Sequence, residues 1–227
     1  MKVHHLHEWD LDTEEATELQ KDLREQVEFK DAPDHVRLVA GADCGFDRDR
    51  EKLFSAVVLY DLEREEVVEK RTGVEELSFP YIPGLLSFRE MPGLLPRFDE
   101  LSERPDAVIS DGHGYAHPRR FGLACHLGLF LEVPTVGCAK SCLVGEYEPQ
   151  EKVRGTFTPL EADGERIGQV LCTRDGVKPV FVSPGHRITM KAARELVLNS
   201  GAGYKLPEPQ RQADLAVRRA KEDFFAS

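Results

Sequence analysis

Apolar residues near the N-terminus recur about one helical turn apart. In the segment 8–27 they include Leu19 and Leu23, and Asp10, Asp12 and Thr13 are candidate capping residues for a helix start. The spacing predicts one amphipathic helix that lies on a core. Asp31-Ala32-Pro33 then breaks the pattern, because these residues favour turns.

Short β-branched runs bounded by turn formers come next. They cover Val36–Ala42, Leu53–Tyr60 and Glu66–Arg71. Three such runs at close intervals predict an antiparallel meander.

The pattern changes after Gly84. Helical spacing runs from Leu85 to Leu101 and is interrupted at Pro92, which predicts a broken helix. Brief apolar strands then alternate with helices: strands over 107–109, 134–137, 167–172 and 179–182, and helices over 121–131, 188–198 and 209–225. Continuous apolar strands separated by helices are typical of a sheet that is covered on both faces. The predicted class is therefore α/β, an antiparallel meander followed by parallel strands, flanked by helices.

Composition narrows the class of protein further. The chain has 227 residues with 41% hydrophobic content, which suits one domain over 1–227, and no apolar run is long enough for a membrane span. We therefore expect a cytoplasmic monomer with no membrane partner. The net charge of −11 argues against nucleic acid as a partner, because a phosphate backbone repels an anion. The five cysteines form no C-x-x-C pair, so they are interpreted as small buried residues.

Two acidic residues follow predicted strands beside glycines. Asp43 stands in Gly41-Ala42-Asp43-Cys44-Gly45, and Asp111 follows Ser110 and precedes Gly112. If the two strands are neighbours, both carboxylates can face one divalent ion, and an all-oxygen site suits Mg²⁺ or Mn²⁺. For either residue alone, a turn-forming aspartate is an equally good interpretation. Glu90 is a third candidate, although its pattern favours ordinary surface charge on a helix.

Two prolines flank an aromatic and an aliphatic residue in Pro80-Tyr81-Ile82-Pro83. A rigid tip of this kind is what proteins insert into a base stack. Taken alone, the segment is better interpreted as a connection that covers the core.

Basic residues cluster after Asp111 despite the acidic total. The cluster comprises His113, His117, Arg119, Arg120 and His126. Lys140 follows another predicted strand and can reach the same end of the sheet, where a cation would stabilise phosphate charge. The alternative is surface solvation, and for His126, within an apolar helix, a place in the core. Asp214 lies on the last predicted helix.

Five segments carry a resemblance to a known family: Gly41 to Asp43, Pro80 to Glu90, Asp111 to Arg120, Gly137 to Ser141, and Leu206 to Pro209. In this order they resemble the Endonuclease V family, the nucleases of deaminated-purine repair, over nearly the whole chain. The resemblance implies an RNase H-like core, a Mg²⁺-dependent site, and cleavage at the second phosphodiester 3′ to deoxyinosine that leaves 3′-hydroxyl and 5′-phosphate ends. Mn²⁺ is expected to substitute for Mg²⁺.

The resemblance also assigns roles residue by residue. It implies metal ligands at Asp43, Asp111 and Glu90, with Asp214 close by and with His117 and Lys140 near the scissile phosphate. The strand-separating wedge would be Pro80, Tyr81, Ile82 and Pro83. The pocket for the flipped base would use backbone of Gly84, Leu85, Leu86, Gly112 and Gly137. Two features depart from the family pattern: His113 stands where Gln is common, and Cys44 and Cys138 stand where aliphatic residues are frequent.

Two other functions stay open. The partner could be inosine-containing single-stranded RNA rather than DNA, because no motif reports on the 2′-hydroxyl. The chain could also bind lesions without cutting, although clustered carboxylates would then be costly. For a nuclease with this net charge we expect a basic face, including Arg187 and Arg218, opposite an acidic back.

Overall fold

A single eight-stranded mixed sheet organises the chain. The computed structural model describes residues 2–30, 33 and 35–226, so the predicted break at Asp31 and Ala32 lies outside the described residues. In chain order the elements are α1 Thr13–Arg24, β1 Leu38–Asp47, β2 Lys52–Asp61, β3 Glu66–Glu76, α2 Leu86–Asp99, β4 Ala107–Ser110, α3 Leu123–Leu131, β5 Thr135–Ala139, β6 Phe157–Ala162, β7 Glu165–Leu171, β8 Val180–Pro184, α4 Met190–Asn199 and α5 Glu208–Ala226.

The strand order is β3-β2-β1-β4-β5-β8-β7-β6. The predicted meander is confirmed, because β1, β2 and β3 pair antiparallel. The strands β1, β4 and β5 pair parallel in the middle of the sheet, and β8, β7 and β6 complete it antiparallel. This is the predicted RNase H-like mixed sheet.

Helices cover both faces of the sheet, as the strand pattern predicts. On one face α2 and α3 pack Met91 and Leu127 against Ala40 in β1. On the other face α4 packs Leu196 against Val39, the residue before Ala40 in the same strand. Alternate residues of β1 therefore enter opposite cores, which fixes its register.

The first helix is shorter than predicted. It begins at Thr13 because Asp12 caps it: the Asp12 carboxylate accepts the backbone N–H groups of Glu14 and Glu15, and the Glu15 carboxylate accepts the N–H of Asp12. The apolar residues Val3 and Trp9, which precede it, pack on the core outside any helix or strand.

The predicted break at Pro92 is wrong. The helix α2 runs from Leu86 to Asp99 with both Pro92 and Pro96 inside it. Met91, Leu94 and Phe98 are all buried in one core cluster, and this packing outweighs the local cost of the prolines. The uninterrupted helix matters for the site, because it carries Glu90.

One strand escaped the sequence analysis. The strand β6 lies at the edge of the sheet and contains Pro159 and Glu161, which weaken the strand pattern. Proline is tolerated at an edge, where one side of the backbone needs no partner. Within the described residues, none of the helices is both long and apolar enough to cross a membrane.

Candidate active site

Two carboxylates meet at one end of the parallel strands. Ala42 in β1 is the register partner of Ser110 in β4, so the next residues, Asp43 and Asp111, stand side by side. The backbone N–H of Asp111 donates to the carbonyl of Ala42 at 3.1 Å, which holds the two chains together at this point. The predicted neighbouring of the two strands is thus confirmed. Asp43 nevertheless lies within β1, which continues to Asp47, and not after the strand as predicted; the parallel pairing with β4 ends just before it.

A third acid reaches the same place from α2. Glu90 is only 6% exposed. Burial raises its pKa well above the ordinary value, and the charges of Asp43 and Asp111 raise it further. Asp43 behaves alike: burial and then the charge of Asp111 raise its pKa to about 7. The three groups therefore share one electrostatic environment.

Lys140 supplies the positive charge among these acids. Its Nζ lies 2.6 Å from Oδ2 of Asp111 and 3.5 Å from Oδ1 of Asp214 on α5. Burial opposes the charged form of the ammonium, but the hydrogen bond to Asp111 and the surrounding carboxylates leave its pKa raised. Arg218 holds the other oxygen of Asp214 at 2.8 Å. The structure thus brings Asp214 and Lys140 to the predicted acids.

The acidic side chains at this site are oxygen donors of the kind that a hard divalent ion prefers. As the side chains are placed, no three acidic, histidine or cysteine groups of the described residues enclose a metal position. The chemistry still suits a cation. The buried carboxylates of Asp43 and Glu90 have raised pKa values and repel one another, and the Lys140 ammonium is the positive charge beside them. Asp43, Glu90 and Asp111 are therefore the groups that would hold it.

A cleft of about 370 Å³ lies against these acids. Of the predicted wedge, Tyr81 is 63% exposed at the rim, Ile82 and Pro83 line the cleft, and Pro80 is exposed outside it. Of the predicted base pocket, three members line it: Gly84, Leu86 and Gly112.

The two other predicted pocket residues, Leu85 and Gly137, do not line the cleft but pack behind its wall. The Leu85 side chain is buried with Phe88 in a core cluster, and its N–H bonds to the Ile82 carbonyl. Gly137 lies under the Asp111 loop, where a Cβ atom would stand 2.5 Å from the backbone nitrogen of Gly114. Glycine is needed there because two backbones approach closely.

His117 lies in the cleft wall with both ring nitrogens engaged. Its Nε2 lies 3.0 Å from the Gly84 carbonyl, which can only accept, so Nε2 carries the hydrogen. Its Nδ1 then accepts the backbone N–H of Arg119 at 3.1 Å. Burial, followed by the Arg119 charge, lowers the pKa of His117 to about 3. A neutral imidazole with both nitrogens occupied fits a scaffolding role better than the predicted stabilisation of phosphate charge.

The other basic residues of that segment divide by environment. Arg120 binds Glu165 and Asp163, so it braces the β6–β7 hairpin. His126 is fully buried, as predicted, with Nδ1 2.9 Å from the hydroxyl of Ser87. His113 lines the cleft with Nε2 bonded to the Ser141 carbonyl, and burial lowers its pKa to about 4.

The cysteines differ in part from the prediction. All five are free thiols; Cys125, Cys138 and Cys172 are buried, whereas Cys44 is half-buried in the cleft and Cys142 is exposed at it.

Gln20 was not among the predicted site residues. This α1 residue is 1% exposed and lines the cleft, where its amide nitrogen donates to the Gly84 carbonyl. A lone glutamine in an amphipathic helix carries no signal of such a contact. A larger, open depression of about 1090 Å³ beside β6 contains none of the predicted site residues.

An RNase H-like sheet with acidic side chains and a lysine where the parallel pairing of its central strands ends is an arrangement that suits a nuclease. Comparison with known proteins gives the family. The family model described as Endonuclease V matches residues 19–215. An Endonuclease V of Gloeobacter violaceus is 46% identical over 223 residues, covering 96% of this chain and 91% of the relative. One of Roseiflexus castenholzii is 44% identical over 215 residues, covering 95% and 96%. The chain belongs to the Endonuclease V family.

Solved structures agree with this assignment. The Endonuclease V of Streptomyces avermitilis is 40% identical, with a TM-score of 0.91 over 99% of this chain and all of that one. The Ciona intestinalis Endonuclease V is 25% identical, with a TM-score of 0.82 over 92% of this chain and 97% of that one. That protein was solved in complex with a 24mer DNA containing an inosine followed by a ribo-adenosine.

Proposed function

We propose that this protein recognises a deaminated purine, deoxyinosine, in DNA and hydrolyses the second phosphodiester bond 3′ to it. The products would carry 3′-hydroxyl and 5′-phosphate ends. One observation carries the proposal: the register of β1 and β4 places Asp43 and Asp111 at the wall of a glycine-lined cleft whose rim bears Tyr81. Family membership and the inosine-containing DNA held by the Ciona protein support the choice of substrate.

Recognition of the base would rest on backbone groups in the cleft. Hypoxanthine differs from adenine by a carbonyl in place of an amine, so it needs a donor where adenine needs an acceptor. At Gly112 a Cβ atom would lie 3.3 Å from the Leu123 side chain, so the packing of the cleft wall leaves little room for a larger residue there. The cleft of about 370 Å³ is within the range of small-ligand pockets.

Extrusion of the base would use the exposed rim. The Tyr81 ring is 63% exposed although it is aromatic, and the prolines on either side of Tyr81-Ile82 hold the backbone rigid. A rigid aromatic tip can occupy the gap that the flipped base leaves in the stack. This placement would keep the base in the cleft next to the acids.

Asp43, Asp111 and Glu90 would hold Mg²⁺, for which Mn²⁺ can substitute. When bound, the ion would supply Lewis-acid activation of a water and charge stabilisation at the phosphate. Lys140 keeps its charge beside Asp111, so its ammonium would contact a phosphate oxygen as negative charge builds up there. Arg218 and Lys140 orient Asp214 at the edge of the acid group.

Cleavage of an end-labelled oligonucleotide tests the proposal. A 5′-labelled strand with one deoxyinosine, incubated with Mg²⁺, should give one labelled product that ends one nucleotide 3′ of the lesion. The same strand with adenine is the control, and Asp43→Ala should abolish the product while retaining binding. An undiminished rate for that variant, or a cut at another position, would contradict the assignment.

A second candidate substrate is RNA that contains inosine. The observation that favours it is the ribo-adenosine that follows inosine in the Ciona complex. Matched DNA, RNA and single-ribonucleotide strands, each with one inosine, should be compared by kcat/KM. A preference of tenfold or more for a 3′ ribonucleotide would assign the protein to RNA.

A further inference from the structure

One backbone carbonyl in the cleft wall receives three hydrogen bonds. The oxygen of Gly84 accepts from Nε2 of Gln20 at 3.0 Å, from Nε2 of His117 at 3.0 Å and from Nη2 of Arg119 at 2.7 Å. A carbonyl oxygen has two lone pairs, so three donors saturate it. All three side chains come from outside the segment that contains Gly84, and the peptide is held in place by the surrounding structure.

The held peptide forms the turn between the wedge and α2. The Leu85 N–H donates to the Ile82 carbonyl at 3.0 Å, and Gly84 has a φ of +84°, the arrangement of a type II turn with Pro83 at its second position. Tyr81 precedes this turn and α2 follows it. A displacement of Gly84 would therefore move the rim and the start of the helix together.

Gln20 connects this turn to the opposite wall of the cleft. Besides Gly84, its Nε2 donates to the carbonyl of Phe121 at 3.2 Å, and its Oε1 accepts from Nε of Arg119 at 2.6 Å. Phe121 and Arg119 belong to the loop that follows Asp111, whose members line the other side of the cleft. One amide group thus contacts both walls. Its nitrogen donates to two carbonyl oxygens and its oxygen accepts from an N–H group, so each contact pairs a donor with an acceptor.

We propose that Gln20 is a positioning residue for base recognition: its amide fixes the distance between the Gly84 turn and the Phe121 loop, and so the width of the cleft that receives the flipped base. The inference rests on the proposed function. Gln20 touches neither the acids nor Lys140 in the structure, so its contribution concerns capture of the base rather than hydrolysis.

The alternative is that Gln20 only stabilises the packing of α1. Leu23, three residues further along the same helix, provides the matched control. It is 4% exposed and packs against Phe121 and Leu129 without a polar contact to Gly84. Leu23→Ala should therefore weaken the docking of α1 and leave the Gly84 carbonyl with its donors.

The test compares Gln20→Met, Leu23→Ala and the wild type. Methionine preserves length and burial but removes the amide. We expect Gln20→Met to lower kcat/KM on the inosine strand roughly ten- to one-hundred-fold, mainly through KM, with the single-turnover rate at saturating enzyme within about threefold of wild type. Leu23→Ala should lower the Tm at least as much while KM stays within about twofold.

A double-mutant cycle adds a readout that simple destabilisation would not move. Arg119→Met and Gln20→Met should raise KM by similar factors, and the double variant should raise it by much less than their product, because both remove the same support of Gly84.

Each contrary outcome has a distinct meaning. Unchanged KM in Gln20→Met, an equal rise in Leu23→Ala, or multiplicative effects in the cycle would overturn the inference alone. A wild-type protein without preference for inosine over adenine would overturn the proposed function and the inference with it.

Discussion

Replacing Asp43 by Asn should stabilise the protein at alkaline pH while abolishing nicking. Asp43 is 9% exposed, and burial together with the Asp111 charge raises its pKa to about 7. Above that pH, in the absence of a divalent ion, the folded protein holds a desolvated carboxylate next to other acids. Asparagine has nearly the same shape and no charge, so it removes this repulsion.

The size of the effect follows from linkage. The folded state binds the Asp43 proton more tightly than the unfolded chain, whose carboxyl titrates near its ordinary value of 3.8. The contribution of this proton to the free energy of unfolding is therefore complete below a pH of 3.8. It is lost as the pH rises through about 7. At about 1.36 kcal/mol for each of the roughly two pH units between about pH 5 and the pKa of about 7, the difference between variant and wild type should grow by roughly 3 kcal/mol and then stay constant up to about pH 8.

Urea denaturation in EDTA at both pH values measures this difference. For a chain of this size, roughly 3 kcal/mol corresponds to a Tm shift of about 6 to 12 °C. Addition of Mg²⁺ at pH 8 should raise the stability of the wild type and leave the variant unchanged.

Asp61→Asn serves as the opposite control. Hydrogen bonds from the backbone N–H groups of Arg64 and Glu63 lower the pKa of Asp61. The Asp61 carboxylate therefore stabilises the fold at pH values above the ordinary pKa of an aspartate, and this contribution is lost on acidification. That variant should be less stable than wild type at pH 8. A difference for Asp43→Asn that is equal at both pH values would refute the reasoning.

Three further substitutions probe the rim, the lysine and the turn. Tyr81→Ala should leave the Tm within about 1 °C, because the ring is 63% exposed, and weaken binding to an inosine duplex in a fluorescence titration; unchanged binding would remove the wedge role. Lys140→Met should lower the single-turnover nicking rate by about 10²-fold or more, and a rate near wild type would exclude charge stabilisation by the ammonium. Gly84→Ala should destabilise by roughly 1 to 2 kcal/mol in denaturant melts, because φ is +84° and the new Cβ would stand 2.8 Å from Nη2 of Arg119; a neutral effect would show that the turn adapts.

The placement of the two aspartates could be predicted because it depends on strands alone. Each apolar run is followed by an acid near glycine, and the parallel pairing of the two strands brings these acids together, although β1 itself continues to Asp47. Glu90 could not be inferred from pattern, because its burial depends on the tertiary packing of α2. The resemblance to the family identified it, and the structure shows the cause: Met91 and Leu94 anchor the helix against the sheet.

The contacts of Gln20 and His117 were beyond the sequence for a different reason. Both bind the backbone oxygen of Gly84, and an acceptor of this kind exists at every residue, so no residue type marks the partner. The segment 111–120 predicts a functional region. It could not show that Arg120 pairs with Glu165 while Arg119 donates to the Gly84 carbonyl, since that depends on tertiary packing.

The net charge is a poor guide to nucleic-acid binding here, because ion pairing, rather than the number of cations, determines which positive side chains can contact a phosphate. Arg187 pairs with Glu132 beyond the end of β8, which runs antiparallel to β5, so it lies at the opposite end of the sheet from Lys140. Arg218 is held by Asp214. Neither supports the expected basic face as a free cation. Attraction of a phosphodiester to this site would therefore depend on a few groups inside the cleft, and neutralising the acids there would change the local charge more than any surface arginine does.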